Sequence, residues 1–331
     1  MRRFPRYAWP AALAPLIVLL AACGGPAPTP TPPPVPTLPP EPGFVADPQH
    51  PGLFGIALTS AGEGWAAGDL AMLYHLSGGR WQPVKAPVGT NPLWRVSMAS
   101  PSDGWAAGNL SVLHYDGTAW ADVPVSTTQP LYGIAAVPGA EAWAVGQNGT
   151  LLHYTGGRWL VVDLSAPVTL NDVFMLTPQE GWIAGESGVI LHDVAGNWVP
   201  MQTGTSVRLD GIAFRAADDG LAVGAAGTIL HYTAETGWQP MISTTSDNLV
   251  AVAWVGPGEA WAAGSDGNEE NGILLHYAGG RWAAWPDMGV LAGVPLAGLA
   301  WAGPGDGWAV GYRGTHLLHY RGGTWHDLAA P

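Results

Sequence analysis

The sequence has 331 residues, of which 47% are apolar and only 11% are charged, and its formal net charge is −13. The apolar fraction excludes a largely disordered chain. The acidic balance excludes a nucleic-acid partner, because there is no basic surface to displace counterions from phosphates. The 47 glycines and the small share of long helix-favouring side chains argue against a helical protein.

Residues 1–22 have the pattern of an export signal. Arginines near the start precede an apolar run, from Ala11 to Ala22, that is too short to span a bilayer as a mature helix. The four residues ending at Cys23 resemble the lipobox of bacterial lipoproteins, which implies cleavage before Cys23 and attachment of diacylglycerol to its thiol. The alternative is an ordinary secretory signal with an incidental cysteine. We predict an extracytoplasmic protein held by a lipid anchor on Cys23 to the bacterial cell membrane.

A proline-rich linker follows the signal. Ten of the nineteen residues in 24–42 are proline, a composition that favours extended polyproline II and does not form a packed core. At about 3.1 Å per residue this segment reaches on the order of 60 Å. We therefore predict that residues 23–52 form a linker that holds a domain at 53–331 away from the membrane.

The remainder of the chain contains seven copies of one unit. Each unit opens with a leucine: Leu53, Leu93, Leu131, Leu170, Leu209, Leu249 and Leu296. An acid follows: Glu63, Asp103, Glu141, Glu180, Asp219, Glu259 and Asp306. Two residues later comes a tryptophan, or Leu221 in the fifth unit: Trp65, Trp105, Trp143, Trp182, Trp261 and Trp308. A third apolar run ends in a histidine: His75, His114, His153, His192, His231, His276 and His319. A second tryptophan closes each unit: Trp81, Trp120, Trp159, Trp198, Trp238, Trp282 and Trp325.

Each unit has four short apolar runs separated by Gly, Pro, Asp or Ser, which predicts four antiparallel strands. Units of about 40 residues with four strands each are typical of a β-propeller. We predict an all-β, seven-bladed propeller. In the first blade the strands are expected at Leu53–Leu58 (A), Trp65–Gly68 (B), Met72–His75 (C) and Trp81–Val84 (D). All seven units end at strand D. The sequence therefore shows no strand that one blade borrows to close the ring, unless residues 44–46 supply it.

The repeated residues resemble the photosystem II assembly/stability factor-like propellers, part of the bacterial-neuraminidase-repeat (Asp-box) group. The third unit carries the resemblance best, in Trp143–Gly146 and Gly149–Trp159. It departs from most units at Ala142, where they have glycine, and the acid of the Asp-box survives clearly only at Asp116 in the second unit. The resemblance implies a propeller with an assembly or scaffolding role, although the group also contains enzymes.

The repeated acids and histidines suit either a structural role or metal and acid–base sites. In an antiparallel blade the A–B turn and the end of strand C lie at the same edge. Each acid is therefore expected near the histidine of its own blade, much as hydrogen-bonded acid–His–Trp sets knit WD-repeat blades. A function needed once would not require seven copies, so we assign these fourteen residues to the fold.

Residues that break the repeat are the candidates for binding. Strand A is expected to begin near the central channel, at the face that carries the D–A and B–C loops. There, polar or aromatic residues form a candidate ligand site at the channel mouth: Trp94, Arg95, Tyr132, Asn171, Asp172 and Asp210. The alternative is that the polar groups only hold channel water.

Two insertions are expected on the same face, at residues 264–272 and 286–295. The first contains three acids that are further contact candidates: Asp266, Glu269 and Glu270. This loop lacks the ligand order of an EF-hand, so we assign no metal to it.

Sequence motifs of catalysis are sparse. The chain has no G-x-S-x-G, no H-E-x-x-H and no P-loop, and we predict no enzymatic activity and no cofactor. A sialidase-type site would need an arginine cluster, and only Arg95 is expected at the mouth. We predict a monomeric, membrane-tethered propeller that binds or scaffolds a protein partner or a glycan. The alternative is a secreted glycoside hydrolase with Asp172 and Asp210 as its carboxylate pair.

Overall fold

Seven sheets, one for each sequence unit, make up the computed structural model; each has four antiparallel strands, and the first has one additional strand at its edge. The structure describes residues 43–44, 52–60, 62–139, 141–164, 167–194, 196–286 and 289–328. The predicted signal, Cys23 and the proline-rich segment lie outside these residues. Within them, the sheets have the strand order A-B-C-D and follow one another along the chain. The prediction of a seven-bladed propeller is confirmed.

The first four blades have the following strands. Blade 1 contains β2 Leu53–Ser60, β3 Glu63–Gly68, β4 Met72–Ser77 and β5 Arg80–Lys85. Blade 2 contains β6 Leu93–Ser100, β7 Asp103–Gly108, β8 Val112–Tyr115 and β9 Trp120–Asp122. Blade 3 contains β10 Leu131–Val137, β11 Glu141–Gly146, β12 Leu151–Thr155 and β13 Arg158–Val161. Blade 4 contains β14 Leu170–Thr177, β15 Glu180–Gly185, β16 Ile190–Val194 and β17 Asn197–Met201.

The last three blades follow the same plan. Blade 5 contains β18 Leu209–Ala216, β19 Asp219–Gly224, β20 Ile229–Thr233 and β21 Gly237–Pro240. Blade 6 contains β22 Asn248–Gly256, β23 Glu259–Ser265, β24 Gly272–Ala278 and β25 Arg281–Ala284. Blade 7 contains β26 Leu296–Gly303, β27 Asp306–Gly311, β28 His316–Arg321 and β29 Thr324–Asp327. Short 3-10 turns lie at Asp69–Ala71, Gln147–Gly149, Glu186–Gly188, Ala225–Gly227 and Gly289–Leu291.

The strands of the first blade are longer than the sequence predicts. Strand A begins at Leu53 as expected but continues to Ser60, and strand B begins two residues earlier, at Glu63. The reason is the tight A–B hairpin, in which Ser60 pairs with Glu63. Backbone pairing continues through polar residues that end the apolar pattern, so a prediction from apolar runs stops too soon.

Strand A of each blade lines the centre of the ring, and the ring closes without a shared blade. Strand β2 packs against β6 on one side and against β26 of the last blade on the other. A backbone bridge joins Gly52 to Gly314, and the indole rings of Trp81 and Trp308 lie 5.4 Å apart between the same two blades. The extra strand β1, Gly43–Phe44, pairs in parallel with β5 at the outer edge of blade 1. It overlaps the segment considered for closure, but it adds a fifth strand to blade 1.

The two repeated tryptophans meet across five of the seven blade interfaces. There the strand-B tryptophan of one blade lies edge to face with the strand-D tryptophan of the next; at the other two, Phe214 lies between Trp182 and Trp238, and Leu221 replaces the strand-B tryptophan of blade 5. The ring centroids are 5.2 Å apart for Trp65 and Trp120, and 5.3 Å apart for Trp105 and Trp159. Edge-to-face geometry is favoured by the ring quadrupoles. The high tryptophan content therefore supplies much of the core between blades.

Candidate functional site

A β-bulge at the start of every strand A shapes the mouth of the central channel. In each blade the pairing with strand B shifts directly after the opening leucine, so that the second residue of the strand is left unpaired. Bulges re-aim side chains and often border functional sites. The bulged residues are Phe54, Trp94, Tyr132, Asn171, Asp210, Val250 and Ala297. All seven line one cavity of about 370 Å³, together with Arg95, Glu269 and Tyr312.

One side of this cavity is aromatic. The rings of Trp94 and Tyr132, from neighbouring blades, stack with centroids 5.3 Å apart and planes inclined by 29°. The rings of Phe54 and Tyr312 lie 6.3 Å apart and are nearly parallel. Tyr312 follows strand B of blade 7, and its hydroxyl lies 3.4 Å from the Ser265 hydroxyl. Blades 7, 1, 2 and 3 thus present two pairs of stacked aromatic rings at the mouth.

The opposite side is polar. The Asn171 side-chain amide donates to the carbonyl of Leu209 at 2.8 Å, which ties blade 4 to blade 5. Asp210 accepts from Nε of Arg208 at 2.9 Å. Burial raises the pKa of Asp210, and Arg208 opposes that rise. Among the described residues Arg95 is the one arginine that lines this cavity, and Arg208, from the D–A connection, contacts it only through the ion pair with Asp210.

Arg95 and Asp172 lie one residue further down their strands, at the floor of the mouth. Nη1 of Arg95 donates to the carbonyl of Trp94 at 3.2 Å and to that of Phe54 at 3.5 Å. A carboxylate oxygen of Asp172 accepts from the backbone N–H of Ile212 at 3.0 Å. Burial raises the pKa of Asp172, and the positive charge of Arg95 acts in the opposite direction. Asp172 lines the channel of about 280 Å³ below the mouth, which Arg95 also lines.

The three acids of the sixth B–C loop separate in the structure. Glu269 lines the mouth, whereas Asp266 and Glu270 do not. Asp266 accepts from the backbone of Glu270 at 2.8 Å and from the Asn271 amide at 2.7 Å, and these hydrogen bonds lower its pKa. Asp266 therefore stabilises its own loop. Across the described parts of the chain, no group of three or more His, Cys, Asp or Glu side chains has the geometry to hold a metal ion.

The repeated acid and histidine of each blade lie together, at the edge away from the mouth. Nε2 of His114 is 2.9 Å from Asp103, and that of His231 is 2.8 Å from Asp219. Three more pairs are hydrogen-bonded in the same way: His75 with Glu63, His276 with Glu259 and His319 with Asp306. In the last two pairs the atoms are further apart and form no hydrogen bond, at 3.6 Å for His153 with Glu141 and 3.4 Å for His192 with Glu180.

The tryptophan joins this pair by stacking. The rings of Trp143 and His153 lie 4.0 Å apart and are parallel within 2°. Only Trp308, among the described residues, donates its indole N–H to the acid, to Asp306 at 3.0 Å. Each acid thus lies near the histidine of its own blade, as expected, while the tryptophan covers the imidazole by stacking and, within the described structure, only in blade 7 also donates to the acid.

Asp193 is a buried carboxylate at a position where five other blades have tyrosine. It is 1% exposed, one oxygen accepts from the N–H of Gly196 at 2.7 Å, and the other has no hydrogen-bond partner in the described structure. Burial is the main cause that raises the pKa of Asp193. The charged form is therefore disfavoured in the folded state, and folding stability should rise as pH falls toward that raised pKa.

We expect Asp193→Asn to raise the free energy of unfolding at pH 7 by about 1 kcal/mol, because the amide keeps the acceptor for Gly196 and removes the buried charge. Chemical denaturation of both proteins between pH 7 and pH 4 measures the difference. The difference in free energy of unfolding between the two proteins should narrow as pH falls, because the wild-type carboxyl becomes protonated and loses its charge. A difference that stays constant with pH would contradict the raised pKa of Asp193.

The structure adds mouth residues that sequence reasoning missed. Phe54, Val250 and Ala297 are apolar and therefore fit the strand pattern, and Tyr312 lies outside a strand. One signal was available, because the residue directly after the opening leucine of every unit is a mouth residue.

In the described residues the structure has no helix that is long and apolar enough to cross a membrane.

No family model matches the chain, and no curated protein does. Among solved structures, YCF48 bound to D1 peptide is similar with a TM-score of 0.67 and 20% identity, over 84% of this chain and 95% of that one. YCF48 from Cyanidioschyzon merolae is similar with a TM-score of 0.65 and 19% identity, over 82% and 96%. A catalytically inactive virginiamycin B lyase from Staphylococcus aureus with quinupristin has a TM-score of 0.70 and 15% identity, over 81% and 94%. At these identities the likeness establishes the propeller fold that this chain shares with all three.

Proposed function

We propose that this protein binds an extended segment of a protein partner at the channel mouth and has no chemistry of its own. The observation that carries the proposal is the ring of seven bulged residues, which brings aromatic side chains and polar groups into one open cavity. Concave sites with apolar walls and a few convergent polar groups are the usual form of a binding site. The similar propeller YCF48 has been solved with a D1 peptide bound, which supports a polypeptide ligand.

The mouth residues offer both aromatic surface and hydrogen-bond donors to such a segment. Trp94 and Tyr132 offer large ring surfaces that lose little side-chain entropy when a ligand covers them. Arg95 uses one of its nitrogens for backbone carbonyls, and no carboxylate lies within 4.0 Å of its guanidinium among the described residues. Its remaining N–H groups suit the backbone carbonyls or carboxylates of a peptide.

The test is selection of peptides from a randomised dodecapeptide library displayed on phage, against the full chain. For the selected peptides we expect Trp94→Ala to weaken binding by at least about tenfold, as for a central aromatic contact. Arg158→Ala, at the opposite edge of blade 3, is the control and should leave the affinity unchanged. Titration by fluorescence anisotropy measures both. Equal binding by Trp94→Ala and the wild type would overturn the proposal.

A glycoside hydrolase is the second candidate, and the raised pKa values of Asp172 and Asp210 favour it, since one carboxyl must stay protonated as the acid. Both carboxylates already have partners, the Ile212 amide and Arg208. We therefore expect no turnover on a panel of polysaccharides. Turnover that disappears in the Asp172→Asn/Asp210→Asn double variant would replace the binding proposal with the enzymatic one.

We also propose that the propeller acts as a monomer outside the cytoplasm, tethered through lipid on Cys23. The lipobox-like residues and the proline-rich linker of the sequence support this. A tether of this kind would hold the propeller within about 60 Å of the membrane, within reach of segments of envelope proteins. An assembly or scaffolding role follows from the anchor and the mouth together.

A further inference from the structure

Two leucines on the mouth face have a backbone conformation that suits leucine poorly. Leu70 and Leu110 lie in the B–C turns of blades 1 and 2 with φ of +53° and +66°. In this left-handed region the Cβ atom crowds the backbone, and Asn is tolerated better than branched residues. At the matching turns the next three blades have smaller or polar residues: Asn148, Ser187 and Ala226.

These two leucine side chains contribute little to the core of the fold. The exposed fractions are 44% for Leu70 and 49% for Leu110, so neither is part of a blade core. An unfavourable backbone conformation that holds an exposed apolar side chain indicates a contact with another molecule.

The two turns lie beside the aromatic side of the mouth. The N–H of Asp69 donates to the carbonyl of Gly52 at 2.9 Å, and the N–H of Asn109 donates to that of Pro92 at 3.1 Å. These carbonyls belong to the residues just before the opening leucines, and hence two residues before the bulged Phe54 and Trp94. We call the combined surface the apolar arc: Leu70, Leu110, Phe54, Trp94 and Tyr132.

The mouth face of blades 4 to 6 has the opposite character. Its loops and strand-A starts contain seven acids, which we call the acidic arc: Asp172, Glu186, Asp210, Asp247, Asp266, Glu269 and Glu270. Within the described residues of this arc's loops and strand-A starts, the single basic residue is Arg208, and it is paired with Asp210. The face around the mouth is therefore apolar on one side and acidic on the other, and of the acidic arc Asp210 and Glu269 line the mouth itself.

We propose that the mouth takes an extended polypeptide segment whose aliphatic side chains lie on the apolar arc and whose Lys or Arg side chains lie over the acidic arc. This inference rests on the proposed function and names the chemistry of the partner. Charge complementarity selects the basic residues, because an acidic segment would meet Glu269 at the mouth and the other carboxylates of the acidic arc on the loops around it. The exposed leucines select aliphatic residues, since burying apolar surface on both sides is favourable.

Peptides from the same dodecapeptide library test this directly, because their composition is part of the result. We expect the selected sequences to combine aliphatic residues with Lys or Arg. The Leu70→Asn/Leu110→Asn double variant should weaken their binding by about fivefold or more. Its melting temperature should stay within about 1 °C of the wild type or rise, because relief of the left-handed conformation offsets the lost packing.

Val199→Thr is the matched control, since Val199 is 48% exposed on the outer strand of blade 4 and should leave affinity unchanged. Replacing the basic residues of a selected peptide with Glu should abolish binding, and raising the salt concentration should weaken it. Selected peptides without basic residues, or equal binding by the double leucine variant, would overturn the inference. If Trp94→Ala loses binding while the leucine variant does not, only this inference fails. If neither loses binding, the proposed function fails as well.

Discussion

Trp105→Ala is expected to lower the free energy of unfolding by about 3–5 kcal/mol. Trp105 is fully buried. Its ring stacks on His114 of its own blade at 4.3 Å and meets the edge of Trp159 in the next blade at 5.3 Å. Truncation therefore leaves a cavity at a blade interface and removes contacts on both sides of it.

Trp105→Leu is the matched comparison, because Leu221 occupies the equivalent position in blade 5 and is also fully buried. Leucine refills part of the space, so its loss should be smaller than that of alanine. Urea denaturation of the wild type and both variants measures the losses in free energy of unfolding, provided that the m-value is the same for all three proteins. A loss below about 1 kcal/mol for Trp105→Ala would show that the interface repacks around the missing ring.

At this interface the positions of the tryptophans can be predicted from the sequence, but their contacts cannot. The two tryptophan positions are visible as a repeat, and the repeat predicts the number of blades and the strand order. The partner of each tryptophan is not visible, because the edge-to-face contact of Trp65 with Trp120 joins residues from two different units. A contact between units depends on how far each blade is rotated against the next, which the strand pattern does not specify.

At the mouth, too, some residues could be predicted from the sequence and others were missed. Asn171, Asp210 and Arg95 could be predicted, because polar residues stand out in an apolar strand. Phe54 and Val250 were missed, because apolar residues agree with the strand pattern whichever way they point, and only their position after the opening leucine marks them. Their direction is set by the bulge, and a register shift of one backbone residue leaves no mark on composition.

The bulge depends in turn on a glycine that is visible in the sequence. In all seven blades strand B has a glycine opposite the opening leucine of strand A, and it ends the strand except in blade 6, where Ser265 follows. These glycines are Gly68, Gly108, Gly146, Gly185, Gly224, Gly264 and Gly311. A Cβ atom on Gly108 would lie 2.0 Å from the carbonyl oxygen of Pro92 and 2.8 Å from Cα of Leu93. The missing side chain lets strand A pass close to strand B just before the bulge.

Gly108→Ala is therefore expected to lower the free energy of unfolding by about 1–3 kcal/mol, because backbone must move to admit the methyl group. The displaced Pro92–Leu93 segment leads directly into Trp94, so peptide binding at the mouth should weaken as well. Gly256→Ala is the control, since its Cβ would have no atom within 4 Å, and its stability and binding should stay close to the wild type. Thermal denaturation and the peptide titration measure both effects. Lost stability with unchanged binding would show that the position of Trp94 does not depend on this close approach, and that the bulge is set by the rest of strand A.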